Sequence, residues 1–279
     1  MTQLPLALLI GVLSGLHVST WGMYKDAPHE GFTWFRYFRS AIVGLVMATI
    51  AYLVARPDLS VPGQALLFFG LTYVLERGAI EFWKTFLRNE DQSKYFIPMQ
   101  FAVFGKVVHG KQQRLLIGIP LAMAIVLVFL GVHWLSRQGN LPPTAPLIVI
   151  FLIGSISGWI SAFLGAWKDA PVEGFETLKF FRSPMWTGIY AVLLSPFTHS
   201  YLLLMCASLG FTIATLETYK TFFFPSKPRG KFAGKPILFP VMLERRKSFA
   251  VLYYCIWALM IAGFALAYST QPLDGGLLR

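Results

Sequence analysis

Long apolar runs alternate with short polar stretches along this chain, and the runs are long enough to cross a bilayer. Eight spans are predicted, roughly at 3–21, 40–55, 64–84, 115–135, 147–166, 185–198, 200–218 and 249–268. A membrane helix needs about 20 apolar residues. The second and sixth runs are short, so each is expected to borrow the aromatic stretch before it, Phe32 to Phe38 and Phe175 to Phe181. At about 1.5 Å per residue, a helix from Phe32 to Ala55 is then long enough to cross. The linkers 56–63, 136–146 and 195–200 hold Pro, Gly, Asn or Ser and read as turns.

The pattern occurs twice. Lys25-Asp26-Ala27-Pro28-His29-Glu30-Gly31-Phe32 returns as Lys168-Asp169-Ala170-Pro171-Val172-Glu173-Gly174-Phe175, 143 residues later. Between 11–40 and 154–183, 14 of 30 positions are identical. A duplicated unit constrains the architecture before any other consideration. The expected fold is an all-α integral membrane protein of eight transmembrane helices, built from two tandem repeats of four, 1–140 and 141–279. An even number of spans per repeat inserts both the same way up, related by an axis along the membrane normal. Gly11-x-x-x-Gly15 and Gly154-x-x-x-Gly158 mark the first helix of each repeat. Small residues four apart let helices approach closely, so these two helices are expected to meet near that axis.

Composition agrees with a membrane protein: 56% apolar residues, 13% charged, mean hydropathy +0.59. The first apolar run does not read as a cleaved leader, because no basic stretch precedes it and the same segment recurs mid-chain. Cys206 and Cys255 lie in apolar runs, with no disulfide framework or metal spacing. The five histidines have no ligand spacing either.

Charge sets the expected orientation. Of 24 Lys and Arg residues, 21 fall in four segments, 22–39, 77–114, 168–182 and 220–247, and three (Arg56, Arg137, Arg279) fall elsewhere. Such asymmetry places the basic segments in the cytoplasm and both termini outside, in the plasma (inner) membrane. The net charge of +11 then follows from topology and anionic lipid. Nucleic acid is not needed as a partner.

The duplicated motif carries the candidate chemistry. The Asp-Ala-Pro step reads as a turn that opens the next helix, with Asp capping orphan N–H groups. A functional reading has Asp26, Glu30, Asp169 and Glu173 holding a divalent cation such as magnesium or acting as a base. Lys25, Arg39, Lys168 and Arg182 would hold phosphate oxygens. A second echo pairs Glu81-Phe82-Trp83-Lys84 with Glu217-Thr218-Tyr219-Lys220. Glu and Lys three apart share a helix face. Arg77, Glu81, Lys84 and Arg88 make a longer charged stripe in the first copy, which the second copy lacks. If the third span starts near Gly63, Glu76 and Arg77 lie about 20 Å along it, at a depth where an ionisable side chain marks a functional site. The competing expectation is an early end to that span and an interfacial helix over 76–88.

Three classes of function fit these features. One is a lipid enzyme or headgroup binder at the cytoplasmic face, acting on an anionic, phosphate-bearing lipid or lipid-linked molecule. Asp26, Glu30, Asp169, Glu173, Glu76 and Glu81 are its candidate catalytic groups. Lys25, Arg39, Lys168, Arg182, Arg77, Lys84 and Lys220 are its candidate substrate contacts. The second class is a transporter with parallel repeats. The third is a non-catalytic subunit that docks a membrane partner or a second copy of itself. The first is the reading taken forward.

Overall fold

A computed structural model describes residues 3–224, 230–273 and 275–278. Among them are eight long helices: α1 (Leu4–Glu30), α2 (Trp34–Ala55), α3 (Pro62–Phe82), α4 (Lys111–Arg137), α5 (Leu147–Glu173), α6 (Thr177–Leu194), α7 (Tyr201–Phe222) and α8 (Val241–Thr270). Six of the eight are long and apolar enough to cross a membrane; α3 and α6 are not. Glu76, Arg77 and Glu81 lie within α3, and Lys179 and Arg182 within α6. A π-helical turn (Trp83–Leu87) continues α3, and a small antiparallel hairpin, β1 (Ala102–Val103) with β2 (Lys106–Val107), interrupts the long connection to α4.

Local signals account for the helix ends. Pro62 sits in the first turn of α3, where its missing N–H is not needed. Thr33 and Ser200 cap α2 and α7 by accepting from Arg36 N and Leu203 N. Gly31 (φ +76°) and Gly174 (φ +84°) end α1 and α5, and each donates its N–H to the carbonyl four residues back.

The Asp-Ala-Pro expectation is corrected here. Asp26-Ala27-Pro28 and Asp169-Ala170-Pro171 do not form turns and do not open the following helix. They lie in the last two turns of α1 and α5. Pro28 leaves the Tyr24 carbonyl without its helical donor. Arg246 of α8 supplies one at 3.0 Å; the helix continues to Glu30, as α5 does past Pro171 to Glu173.

The two ends of the bundle are distinct. At one end lie Gln3, the short α2–α3, α4–α5 and α6–α7 connections, and the segment after α8. They are tied by Gly63 N to Gln271 Oε1 (2.7 Å), Leu277 N to Ser195 O (2.9 Å) and Tyr201 Oη to Pro142 O (2.9 Å). At the other end the segments 88–110 and 230–240 meet through Phe96 N to Lys231 O (2.7 Å) and Lys235 Nζ to Ser93 O (2.7 Å). The basic residues gather at this second end; Lys227, Arg229 and Arg279 lie outside the described residues.

α3 is central, packed on α1, α2, α7 and α8. Its closest approach is to α7, where Gly70 meets the Ala207 backbone and Gly210 meets the Gly70 carbonyl. The Gly-x-x-x-Gly expectation is corrected too: α1 and α5 do not meet through their glycines. Gly11 and Gly15 receive α2 at Gly44, Ala48 and Ser40, whereas Gly154 and Gly158 receive α6 at Ala191, Thr187 and Pro184. Backbone contact was the right reading of those glycines, but they serve the neighbouring hairpin partner. The last helix crosses to the first half, where α8 covers α1 and α3, while α4 lies between the π turn that follows α3 and α7.

A side chain at Gly210 would collide with backbone, whereas one at Gly22 would meet nothing within 4 Å. Gly210→Val should therefore destabilise the chain by about 1–3 kcal/mol, and Gly22→Ala should be tolerated. Thermal unfolding in detergent measures both.

Candidate functional site

At the basic end, α1, α3, α5 and α7 bring one set of charged side chains together. Lys25 Nζ of α1 donates to Glu217 Oε2 of α7 at 3.4 Å. Lys220, one turn on, donates to Glu217 Oε1 at 3.0 Å. On α3 the same spacing recurs: Lys84 Nζ lies 3.5 Å from Glu81 Oε1, and Arg77 pairs with that same oxygen. Lys168 of α5 is in Coulombic range of Glu81, as Lys25 is of Glu217. Each lysine of the duplicated motif thus faces the glutamate of the opposite half.

The two sides differ in one respect. Lys25 is hydrogen-bonded to its glutamate, but the hydrogen bond found for Lys168 goes to the thioether of Met99, at 3.7 Å. Among the described residues no carboxylate lies within ion-pair distance of Lys168. Glu81 keeps 40% of its side-chain surface accessible, and this open side of the charged cluster is the crevice.

Aromatic side chains form the floor of the crevice. Arg77 and Lys25 stand over the Trp21 ring at 5.1 and 5.2 Å. The Trp21 indole donates to Tyr73 Oη at 3.0 Å, and Tyr73 Oη also pairs with His17 Nδ1 at 3.0 Å. His17 stacks on Tyr253 at 4.1 Å between ring centres. Trp21, Tyr73, His17 and Tyr253 are all buried. His17, which sequence reasoning set aside, is part of that floor.

Loops close the mouth. Lys231 reaches Asp26 (2.8 Å) and Glu30 (3.7 Å). The Tyr95 hydroxyl lies between two carboxylates, 2.8 Å from Glu30 Oε1 and 3.0 Å from Glu90 Oε2, with one proton to give to either. Leu238 N and Phe239 N donate to the Pro28 carbonyl, at 3.0 and 2.9 Å. The hairpin tip reaches the end of α5, where Trp167 Nε1 donates to Ala102 O at 3.0 Å.

The remaining site residues divide as follows. Asp26 and Glu30 enclose Lys231, and Asp169 and Glu173 enclose Lys179 at 2.9 and 2.6 Å. Each acidic pair expected to face a cation thus holds a lysine ammonium. Among the described residues no three His, Cys, Asp or Glu side chains gather. Arg39 and Arg182 stay away from the crevice. They stack on Trp83 (5.1 Å) and Tyr219 (5.8 Å), the residues two after Glu81 and Glu217. Glu76 is wholly buried on the α2 side, in Coulombic range of Arg39 and Arg77, and neither carboxylate oxygen has a hydrogen-bond partner among the described residues. α3 runs unbroken past it, so no separate interfacial helix begins at 76.

Sequence reasoning missed two features. The π turn at Trp83–Leu87 has no simple sequence signal; such turns often mark functional positions. Arg114 was counted only as a basic residue. It is wholly buried, and its guanidinium donates to the carbonyls of Phe86, Arg88, Val108 and His109 and to Asn89 Oδ1. Those contacts fasten both ends of the long connection to α4.

No known protein family, no characterised protein and no solved structure matches this chain.

Arg114→Leu removes the guanidinium from that set of carbonyls, leaving the Arg88 carbonyl its bond from the Gln100 amide. It should cost on the order of 3 kcal/mol and free residues 88–110, measured by hydrogen exchange. The lid also responds to acid. Burial raises the Glu90 carboxyl, but the hydrogen bond from Lys94, the charge of Arg88 and the Tyr95 hydroxyl hold it below the usual range. A carboxylate depressed by folding stabilises above its unfolded pKa, about 4.3, and loses that contribution as pH falls. Protection of residues 88–101 should therefore decline below about pH 4 in the native chain and not in Glu90→Gln.

Proposed function

We propose that the crevice binds the phosphate-bearing headgroup of an anionic lipid or lipid-linked molecule at the cytoplasmic face of the membrane. In this reading all eight long helices span the bilayer as two parallel repeats. The basic end faces the cytoplasm and both termini face outward, in the plasma (inner) membrane.

The observation that carries the proposal is Lys168. A lysine ammonium is strongly hydrated, and enclosing it against a thioether is unfavourable without an anionic partner. Around it stand Glu81, Asp169, Lys231 and Lys25. Asp169 is held by Lys179, and Glu81 by Arg77 and Lys84, so neither carboxylate pairs directly with Lys168. A phosphate or diphosphate would give Lys168 an acceptor. Glu81 is the carboxylate such a molecule would meet, and Lys231 would close over it.

The filled floor supports binding over transport. His17, Tyr73, Trp21 and Tyr253 occupy the space a passage would need. Arg77, the cation at mid-depth, is held by Glu81.

Lys168→Ala should weaken binding of phosphatidate or a prenyl diphosphate at least tenfold, measured by native mass spectrometry of the full chain in detergent. Phosphatidylcholine should be unaffected. Wild-type affinity for the anionic lipids in this variant would refute the proposal. Orientation has its own test, in a chain with Cys206 and Cys255 replaced by Ala. Cysteines placed at exposed His109 and Glu176 should react with an impermeant maleimide from one compartment, and a cysteine at Asn140 from the other.

A further inference from the structure

A second cavity, of about 450 Å3, lies outside the lid, between the end of α1, the first turn of α2 and the loops 93–94 and 232–239. Its volume suits a headgroup-sized ligand. It does not share the cations of the crevice. Its own are Arg36, Lys94 and Lys235, with Glu30 as the carboxylate among the lining residues.

Glu30 is already heavily engaged. Lys231 (3.7 Å), Lys94 (3.9 Å), Arg36 (3.9 Å) and the Tyr95 hydroxyl (2.8 Å) all converge on it. Lys235 donates to the Ser93 carbonyl at 2.7 Å, and an ammonium has two further N–H bonds to give. His29 is oriented as well. Its Nδ1 lies 2.8 Å from the Pro236 carbonyl, which can only accept, so Nδ1 carries the proton. The ring stacks on Phe232 at 4.5 Å, and the residue lines the cavity, leaving Nε2 as its second polar atom.

The rim is apolar. Leu238 and Phe239 line the cavity with exposed side chains, and Ile237 is exposed beside them. Trp34 and Phe35, adjoining Arg36, are exposed at the start of a helix apolar enough to cross the membrane. Cations facing inward with apolar side chains around them match a ligand that is charged at one end and hydrocarbon at the other.

We infer that this cavity is a second lipid site, in which Arg36, Lys94 and Lys235 hold the phosphate of a glycerophospholipid while its chains lie against Phe35, Leu238 and Phe239. The shared chemistry is a phosphate ester, and a soluble ester is the alternative source. Its cations are distinct from those around Lys168, and the two sites meet at Glu30, which lines this cavity and also faces Lys231.

The test uses the full chain in detergent, titrated calorimetrically with short-chain phosphatidate and with glycerol 3-phosphate, in a Lys168→Ala background so that the crevice does not contribute. Arg36→Gln with Lys235→Gln should weaken phosphatidate binding at least tenfold, and Lys235→Glu alone should weaken it more than Lys235→Gln alone. Leu238→Asp should weaken phosphatidate and leave glycerol 3-phosphate unchanged. Unaltered phosphatidate affinity in the double variant, with its unfolding temperature retained, would overturn the site. So would the absence of saturable phosphatidate binding in the Lys168→Ala background. Equal affinity for glycerol 3-phosphate and phosphatidate would overturn the lipid assignment in favour of a soluble ester. Failure at Lys168 with success here would separate the two sites.

Discussion

Where Gly70 of α3 meets Gly210 of α7, backbone touches backbone, and the rest of the site depends on that contact. It sets how far apart the two central helices stand. It therefore sets how far apart Glu81, about three turns past Gly70, and Glu217, about two turns past Gly210, stand. With larger residues at the contact, the helices would separate and the cross-half pairing of Lys25 with Glu217 would stretch beyond a hydrogen bond. In lipid there is no hydrophobic force to draw helices together, so close approach and polar pairing must hold them. This chain places one at mid-helix and the other at the basic end.

The charged end follows from that arrangement. Arginine and lysine stems lie along aromatic rings while their heads reach carboxylates, as with Arg77 and Lys25 over Trp21. The balance is uneven. Glu217 is met by Lys25 and Lys220, Glu81 by Arg77 and Lys84, and Lys168 is left beside a thioether. Two copies of one motif have thus reached different local solutions, and the difference lies where the crevice is open.

Much of the architecture was legible in the sequence, because apolar periodicity and charge asymmetry leave strong marks. The short second and sixth runs do extend through the aromatic stretches before them, starting at Trp34 and Thr177. The two repeated motifs marked Lys25, Lys168, Glu81 and Lys220 as candidates, but nothing in them paired Lys25 with Glu217 or turned the acidic pairs toward Lys231 and Lys179. Other features were not legible. A proline in the last turn and a proline in the first turn look alike in sequence. At Pro28 an arginine more than two hundred residues away donates to the carbonyl the proline leaves open, yet α5 runs past Pro171 without one among the described residues. The glycine pairs showed that a close contact existed without naming the partner. Arg114 looked like one more cytoplasmic basic residue, because its role rests on carbonyls that any residue could supply.

The crossing of the last helix bears on how the chain is made. When α4 leaves the ribosome, the faces of α1 and α3 that belong under α8 are still bare. They stay so until the final helix is synthesised, whereas α4 already has the π turn after α3 to pack on and gains α7 later. The first four helices therefore cannot complete themselves early, and their assembly rests on a contact that is distant along the chain. The same feature protects the finished protein: with α8 clasped over α1 and α3, the bundle cannot come apart along its midline without first shedding that helix.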